Sequence, residues 1–223
     1  MLFYFDLECS FGKKGVARNR SIAYEIGAVR FESGVKKEFH SHINMLPSDM
    51  SLVDFLATSQ QKTESTINVW FNKLFSQGII TSTENNLDDR TIAVELAIRS
   101  FTPEFQVYKQ FLDFIGNAIG IAHNGARFDK HILSGRLGIF NLSHRMPVVL
   151  DSLEIFKSKI LFPEKPQGMD NSLGTVYKFL TDRRISHQAL GDANALCVII
   201  KWIARNRKTT PYLLFRDTNK CWV

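Results

Sequence analysis

Leu2-Phe3-Tyr4-Phe5-Asp6-Leu7-Glu8 opens the chain with four bulky apolar residues that run into two carboxylates two positions apart. Aromatic and aliphatic residues in an unbroken run of this length mark a buried strand. Side chains alternate across a strand, so Asp6 and Glu8 project from one face. Two more acids stand in comparable settings: Asp129 at the end of Ala122-His123-Asn124-Gly125-Ala126-Arg127-Phe128-Asp129, and Asp192 at the end of His187-Gln188-Ala189-Leu190-Gly191-Asp192. Brought together, the four would crowd negative charge into a small volume, raising their pKa values and costing stability unless cations offset it. Oxygen ligands alone favour Mg²⁺ or Mn²⁺ over Zn²⁺. Two such ions about 3.5–4 Å apart clamp the attacking water and the leaving oxygen of an in-line displacement at phosphorus. The kit fits phosphodiester hydrolysis.

His187 lies five residues before Asp192, ahead of Leu190, Ala193, Leu196, Cys197, Ile200 and Ile203, whose three-to-four spacing predicts an amphipathic helix. Asp192 then falls on the first turn and His187 on the loop before it. An imidazole with an ordinary pKa near 6.5 can take a proton from the attacking water at neutral pH, which assigns His187 as general base.

These blocks, with Ala23-Tyr24-Glu25-Ile26-Gly27-Ala28-Val29, Asp151-Ser152-Leu153 and Ser172-Leu173-Gly174 between them, resemble the DEDD-type 3′→5′ exonucleases of the DnaQ-like group, in the branch whose last motif carries histidine (DEDDh). The resemblance extends over nearly the whole chain. It implies an α/β, ribonuclease H-like fold with a central mixed five-stranded sheet flanked by helices. It also implies two Mg²⁺ or Mn²⁺ ions and release of 5′-mononucleotides from 3′ ends. Mapped by motif, the metal-binding carboxylates are Asp6, Glu8, Asp129 and Asp192, and the base is His187; the candidate substrate contacts are Leu7, Cys9, Phe11, Asn124, Phe128 and Arg184. Two departures stand out. Where the family continues Thr-Thr-Gly or Ala-Thr-Gly and then leucine, this chain has Cys9-Ser10-Phe11-Gly12. Phe11 is therefore either the wedge between the last two bases, since an aromatic ring stacks on any base face, or an ordinary core residue. The second departure is an atypical helical and loop segment at about 45–100, longer than in relatives and without their His-Gly-Ile-type stretch.

At 223 residues, 44% hydrophobic, with 18 phenylalanines, the chain suits a single α/β exonuclease domain spanning 1–223. Its three cysteines are widely spaced with no CxxC, which indicates neither a disulfide framework nor a structural zinc site and points to a reducing interior. Asp6 and Glu8 come too early for a signal peptide, and the longest apolar stretch, Ala195 to Ile200, is far too short for a bilayer. A soluble intracellular protein with no membrane partner is expected. Lysine and arginine outnumber acids 28 to 22, and because metal would neutralise several acids, the remaining surface is more basic than the net +6 suggests. The expected partner is a single-stranded or 3′-end nucleic acid, with DNA preferred. A 3′→5′ exoribonuclease and a nucleic-acid-binding or partner-recruiting module without turnover are the alternatives, and a homodimer, as in several free-standing relatives, stays open.

The expected elements are strands at 2–8, 24–31 and 36–43 with a turn at Ser33-Gly34, then a helix carrying Ile67, Trp70, Phe71, Leu74 and Phe75, and a polar loop from Thr81 to Arg90. A helix from Pro103, a strand at 119–123, a helix with Asp129 near its start, a strand at 147–151 and helices at 152–161, 172–180 and 189–206 complete the order. Other features carry paired readings. Arg183-Arg184 holds a backbone phosphate or is a solvated pair. Lys13, Lys14, Arg18 and Arg20 guide a strand or form an exposed turn. Asn124 bonds a catalytic carboxylate or the scissile nucleotide, or serves as a turn residue. Phe128 touches the terminal sugar or packs beneath its helix. His40 and His42 share a strand face but show no matching third ligand, so a packing role is preferred.

Overall fold

The computed structural model describes residues 1–10, 21–59, 61–81 and 86–216. Phe11, Lys13, Lys14, Arg18 and Arg20 lie outside the described residues, as does Cys221. Three strands form the first antiparallel unit: β1 (Leu2–Ser10), β2 (Ile22–Glu32) and β3 (Val35–Asn44). The β2–β3 turn is Ser33-Gly34, with both residues at positive φ, a geometry glycine adopts without steric cost.

Next come α1 (Leu52–Thr58), α2 (Thr63–Ser76) and α3 (Leu87–Ser100), then β4 (Thr102–Pro103), α4 (Glu104–Ile115), β5 (Ile119–Ala122) and α5 (Asp129–Ile139). The chain continues through β6 (Val149–Asp151), α6 (Ser152–Lys157), α7 (Leu173–Thr181), α8 (Ala189–Asn206) and α9 (Pro211–Arg216). The sheet order is β4-β3-β2-β1-β5-β6, with β5 and β6 parallel to their neighbours. This is the expected mixed sheet flanked by helices, with six strands among the described residues rather than five. The extra strand, β4, pairs only Ile43 with Thr102 and Asn44 with Pro103, too short for any alternation in sequence, and its proline sits at the sheet edge where a missing N–H costs nothing.

Alternation in β1 divides the core. Phe3, Phe5 and Leu7 face a cluster with Trp70, Phe71, Val107 and Phe111 from α2 and α4, while Tyr4 faces Ile121, Leu150, Leu196 and Ile200, the last two from α8. The Phe3, Phe5 and Phe111 rings stand 5.3–6.1 Å apart, tilted or edge-on, as quadrupoles prefer. Asp6 and Glu8 continue the Tyr4 face toward α8.

Two expectations change in detail. The loop expected from Thr81 to Arg90 ends early, because Asn86 caps α3 by accepting a hydrogen bond from Asp89 N (2.8 Å) and the helix begins at Leu87. That helix buries only Val94 and Ile98, so its apolar period is faint in sequence. The helix expected over 152–161 stops at Lys157, where Ser158 turns extended and leads Phe162 into the core ahead of Pro163.

Candidate active site

Asp6 and Glu8 occupy the end of β1 as alternation predicts. Asp6 pairs in register with Gly27, and Glu8 pairs with Glu25, just before a β-bulge between Glu8 and Cys9. In the next strand Glu25 faces His42 and Gly27 faces His40. One face therefore carries Glu8, Glu25 and His42 in one row and Asp6, Gly27 and His40 in the next.

Gly27 brings in the fourth segment. A Cβ there would lie 2.1 Å from Leu190 N, so only glycine admits the first turn of α8 against β2. Glu25 fixes that turn by accepting a hydrogen bond from the backbone N–H of Ala189 at 3.1 Å, and thus caps the helix from a neighbouring strand. Asp192 then stands on the first turn of α8, where the helix dipole favours a carboxylate. Asp6, Glu8 and Asp192 each offer an oxygen within a group no more than 4.8 Å across. Asp129, on the first turn of α5, is fastened from the other side: its Oδ1 accepts the Leu7 backbone N–H at 3.0 Å. The approach to α5 is braced by Asp151, whose carboxylate accepts from Ala126 N (3.1 Å) and caps α6 at Leu153 N (2.9 Å).

The electrostatics are those of crowded acids. Burial, followed by the charges of Asp129, Glu8 and Asp192, holds Asp6 well above the usual carboxylate range. Burial lifts Asp129 to about 7, against the pull of the Leu7 N–H. Burial and then Glu8 lift Asp192 to about 6, with His187 acting in the opposite sense. Among the described residues the Oδ1 of Asp192 is buried without a hydrogen-bond partner. An acceptor-only oxygen left bare beside two other acids is what a cation ligand requires, and oxygen donors of this kind suit Mg²⁺ or Mn²⁺. The residues fit a divalent metal.

The other sequence-derived positions are placed as follows. His187 lies exposed on the loop before α8 at φ +54°. Arg184 shares an open hollow with His187 and Lys178. The Leu7 side chain belongs to the core, and its N–H serves Asp129. Cys9 is half-buried, with Sγ 3.6 Å from the Leu7 carbonyl oxygen. Asn124 takes a turn conformation at φ +57°, and among the described residues its Oδ1 is buried without a hydrogen-bond partner. Phe128 immediately precedes α5.

Two residues without a role in the sequence reading enter the site. Glu25, fully buried, is the third ligand that His40 and His42 lacked: the three offer atoms within 4.8 Å of one another. Its oxygens are already engaged by His40 Nε2 (2.9 Å), Ala189 N (3.1 Å), Lys73 Nζ (3.2 Å) and Gln77 Nε2 (3.4 Å), so the group works as a hydrogen-bonded brace. Lys73, from α2, also lies 3.2 Å from Glu8 Oε2. A glutamate inside an otherwise apolar strand, and a lysine on the helix face that carries Trp70 and Leu74, were the available signals.

No protein-family model and no curated protein matches the sequence. Solved structures do match. Exonuclease X in complex with 5′-overhanging duplex DNA superposes with a TM-score of 0.52 at 16% identity, covering 97% of this chain and 98% of that one. The nuclease domain of 3′hExo, a DEDDh family member bound to rAMP, gives 0.53 at 14% identity over 92% of each chain. Exonuclease I gives 0.57 at 12% identity, with this chain spanning 42% of its length. The protein thus shares the α/β fold of these exonucleases at 12–16% sequence identity.

Proposed function

We propose that this protein is a metal-dependent 3′→5′ exonuclease that hydrolyses the terminal phosphodiester bond of a nucleic acid and releases 5′-mononucleotides. The observation that supports this most strongly is the convergence of Asp6, Glu8 and Asp192 within 4.8 Å, with Asp129 tied to the Leu7 amide between the first two. Two divalent ions held there would supply the positive charge that an in-line displacement at phosphorus needs. The chain's own groups do the rest. Asp6, Glu8, Asp129 and Asp192 would hold the ions, and the Leu7 N–H accepted by Asp129 Oδ1 fixes that carboxylate. His187 accepts the proton as the water oxygen bonds to phosphorus and the bond from phosphorus to the 3′ oxygen breaks. Arg184 and Lys178 line the hollow beside His187, where a backbone phosphate of the strand would find cationic partners. Leu7, Cys9, Asn124 and Phe128 remain the candidate substrate contacts, and DNA is the preferred polymer.

The experiment is a side-by-side digestion of 5′-labelled single-stranded DNA, duplex DNA with a mismatched 3′ end, and RNA, in Mg²⁺, Mn²⁺ or EDTA. Stepwise shortening from the 3′ end, abolished by EDTA and by Asp6→Ala or Asp192→Asn in folded protein, is the expected result. Binding without shortening would replace the enzyme with a binding module. Full activity in either variant would overturn the site.

A further inference from the structure

The atypical segment at 45–100 reaches the acidic site through Lys73. Lys73 is only 14% exposed, and its Nζ lies 3.2 Å from Glu8 Oε2 and 3.2 Å from Glu25 Oε2. It sits 5.0 Å from the centroid of the Tyr24 ring and 3.4 Å from the Tyr24 hydroxyl. Gln77, one helical turn further along, bonds the same Glu25 oxygen at 3.4 Å, so α2 grips Glu25 at two points. Glu25 is also held by His40 Nε2 at 2.9 Å and the Ala189 N–H at 3.1 Å. Held by four partners, Glu25 is a fixed anchor for the lysine, whereas Glu8 belongs to the candidate metal group.

We propose that Lys73 is a resident cation of the site that competes with divalent metal for Glu8. It neutralises Glu8 while no ion is bound, yields that oxygen and stays on Glu25 when one binds, and so sets the ion concentration at which the protein loads. The physical ground is direct: a fixed unit charge a few ångströms from a divalent ion repels it and weakens binding, by an order of magnitude or more at the effective dielectric of such sites. The proposal rests on the metal-dependent reading above.

The test is Mn²⁺ binding to the full, EDTA-stripped chain, without nucleic acid, followed by calorimetry and by the electron paramagnetic resonance signal of free Mn²⁺. Lys73→Met should bind about tenfold tighter than wild type, and Lys73→Arg, which keeps the charge, within about threefold of it. Melting in EDTA should be lower for the methionine variant, with a larger rise when Mn²⁺ is added. A variant damaged merely in structure would bind more weakly, so tighter binding separates the two causes. Lys73→Gln, which keeps a donor to Glu25 without charge, carries the same expectation if the methionine variant does not fold. Unchanged or weaker binding in the uncharged variants, with wild type binding normally, would overturn the competition alone. Absence of binding in wild type would instead remove the metal-dependent reading, and the competition with it.

Discussion

Replacing Gly27 with alanine tests how the site is assembled, because this position touches none of the proposed chemistry yet fixes the distance between its halves. The new Cβ would lie 2.1 Å from Leu190 N, 2.3 Å from the Ala189 carbonyl carbon and 2.4 Å from Leu190 Cα, all of them backbone atoms that no rotamer change can clear. Ordinary contact begins near 3.4 Å, so the first turn of α8 must retreat from β2 by about 1.3 Å. That movement stretches the 3.1 Å bond from Ala189 N to Glu25 beyond hydrogen-bonding range and carries Asp192 away from Asp6 and Glu8. Overpacking costs about 1–3 kcal/mol, and losing a hydrogen bond to a charged group costs about 1.5–3 kcal/mol. For a protein of this size the sum corresponds to a fall in melting temperature on the order of 10 °C. A misplacement of about 1 Å at a catalytic group costs about 100-fold in rate. The assay pairs thermal melting with Mg²⁺-dependent 3′ shortening of a labelled oligonucleotide. Wild-type melting together with wild-type shortening in Gly27→Ala would refute the claim that close approach of α8 to β2 builds the site.

Two further outcomes follow from the charges. Asp192 near 6 and Asp129 near 7 both lie above the ordinary carboxylate value, so the folded chain holds these protons more tightly than the unfolded one. Their stabilising effect is complete below the unfolded value near 4 and is lost as pH rises through 6 to 7; Asp192 alone accounts for up to about 3 kcal/mol. Melting temperature in EDTA should therefore fall between pH 5 and pH 8, excess Mg²⁺ should remove most of that fall, and a flat EDTA profile would count against the acidic cluster. Glu25 behaves oppositely. Its value near 2 contributes stability that is fully present above the unfolded value of about 4.5 and is lost as pH falls toward 2. Glu25→Gln should cost about 3 kcal/mol in urea unfolding at pH 7 and progressively less below pH 4, and an equal cost at both pH values would show that charge is not the source.

What the sequence disclosed tracks how local each signal is. Asp6 and Glu8 on one face follow from the two-residue period of a single strand, and Asp192 on a first turn follows from the spacing of Ala193, Leu196, Ile200 and Ile203. The sixth strand did not show, because two residues carry no period. Nor did α3, whose Ile92 and Leu96 face solvent and blur the apolar stripe. Glu25 and Lys73 were hidden for a different reason. Their roles depend on the register of β1 against β2 and on α2 crossing near the end of that pair, neither of which any window of sequence contains. Glu25 was visible as an acid inside a buried strand, but only pairing with Glu8 and contact with Ala189 give it a task.

The same geometry ties the acidic centre to the basic balance of the chain. Among the described residues Lys73 is the cation that touches this centre, pairing with Glu8 and Glu25 beside Asp6 and Asp192, while the whole sequence carries a net +6. A polyanion drawn by the net positive charge therefore meets a local centre of its own sign. Phosphate cannot approach Asp6 and Glu8 closely until that centre is neutralised, and Lys73 can cover only part of it. The proposed activity accordingly requires the ions for substrate seating as well as for bond cleavage. Oligonucleotide held in EDTA should ride on the outer basic surface, with salt-dependent affinity that is insensitive to Asp192→Asn, and should acquire 3′-end specificity only when divalent ions are added.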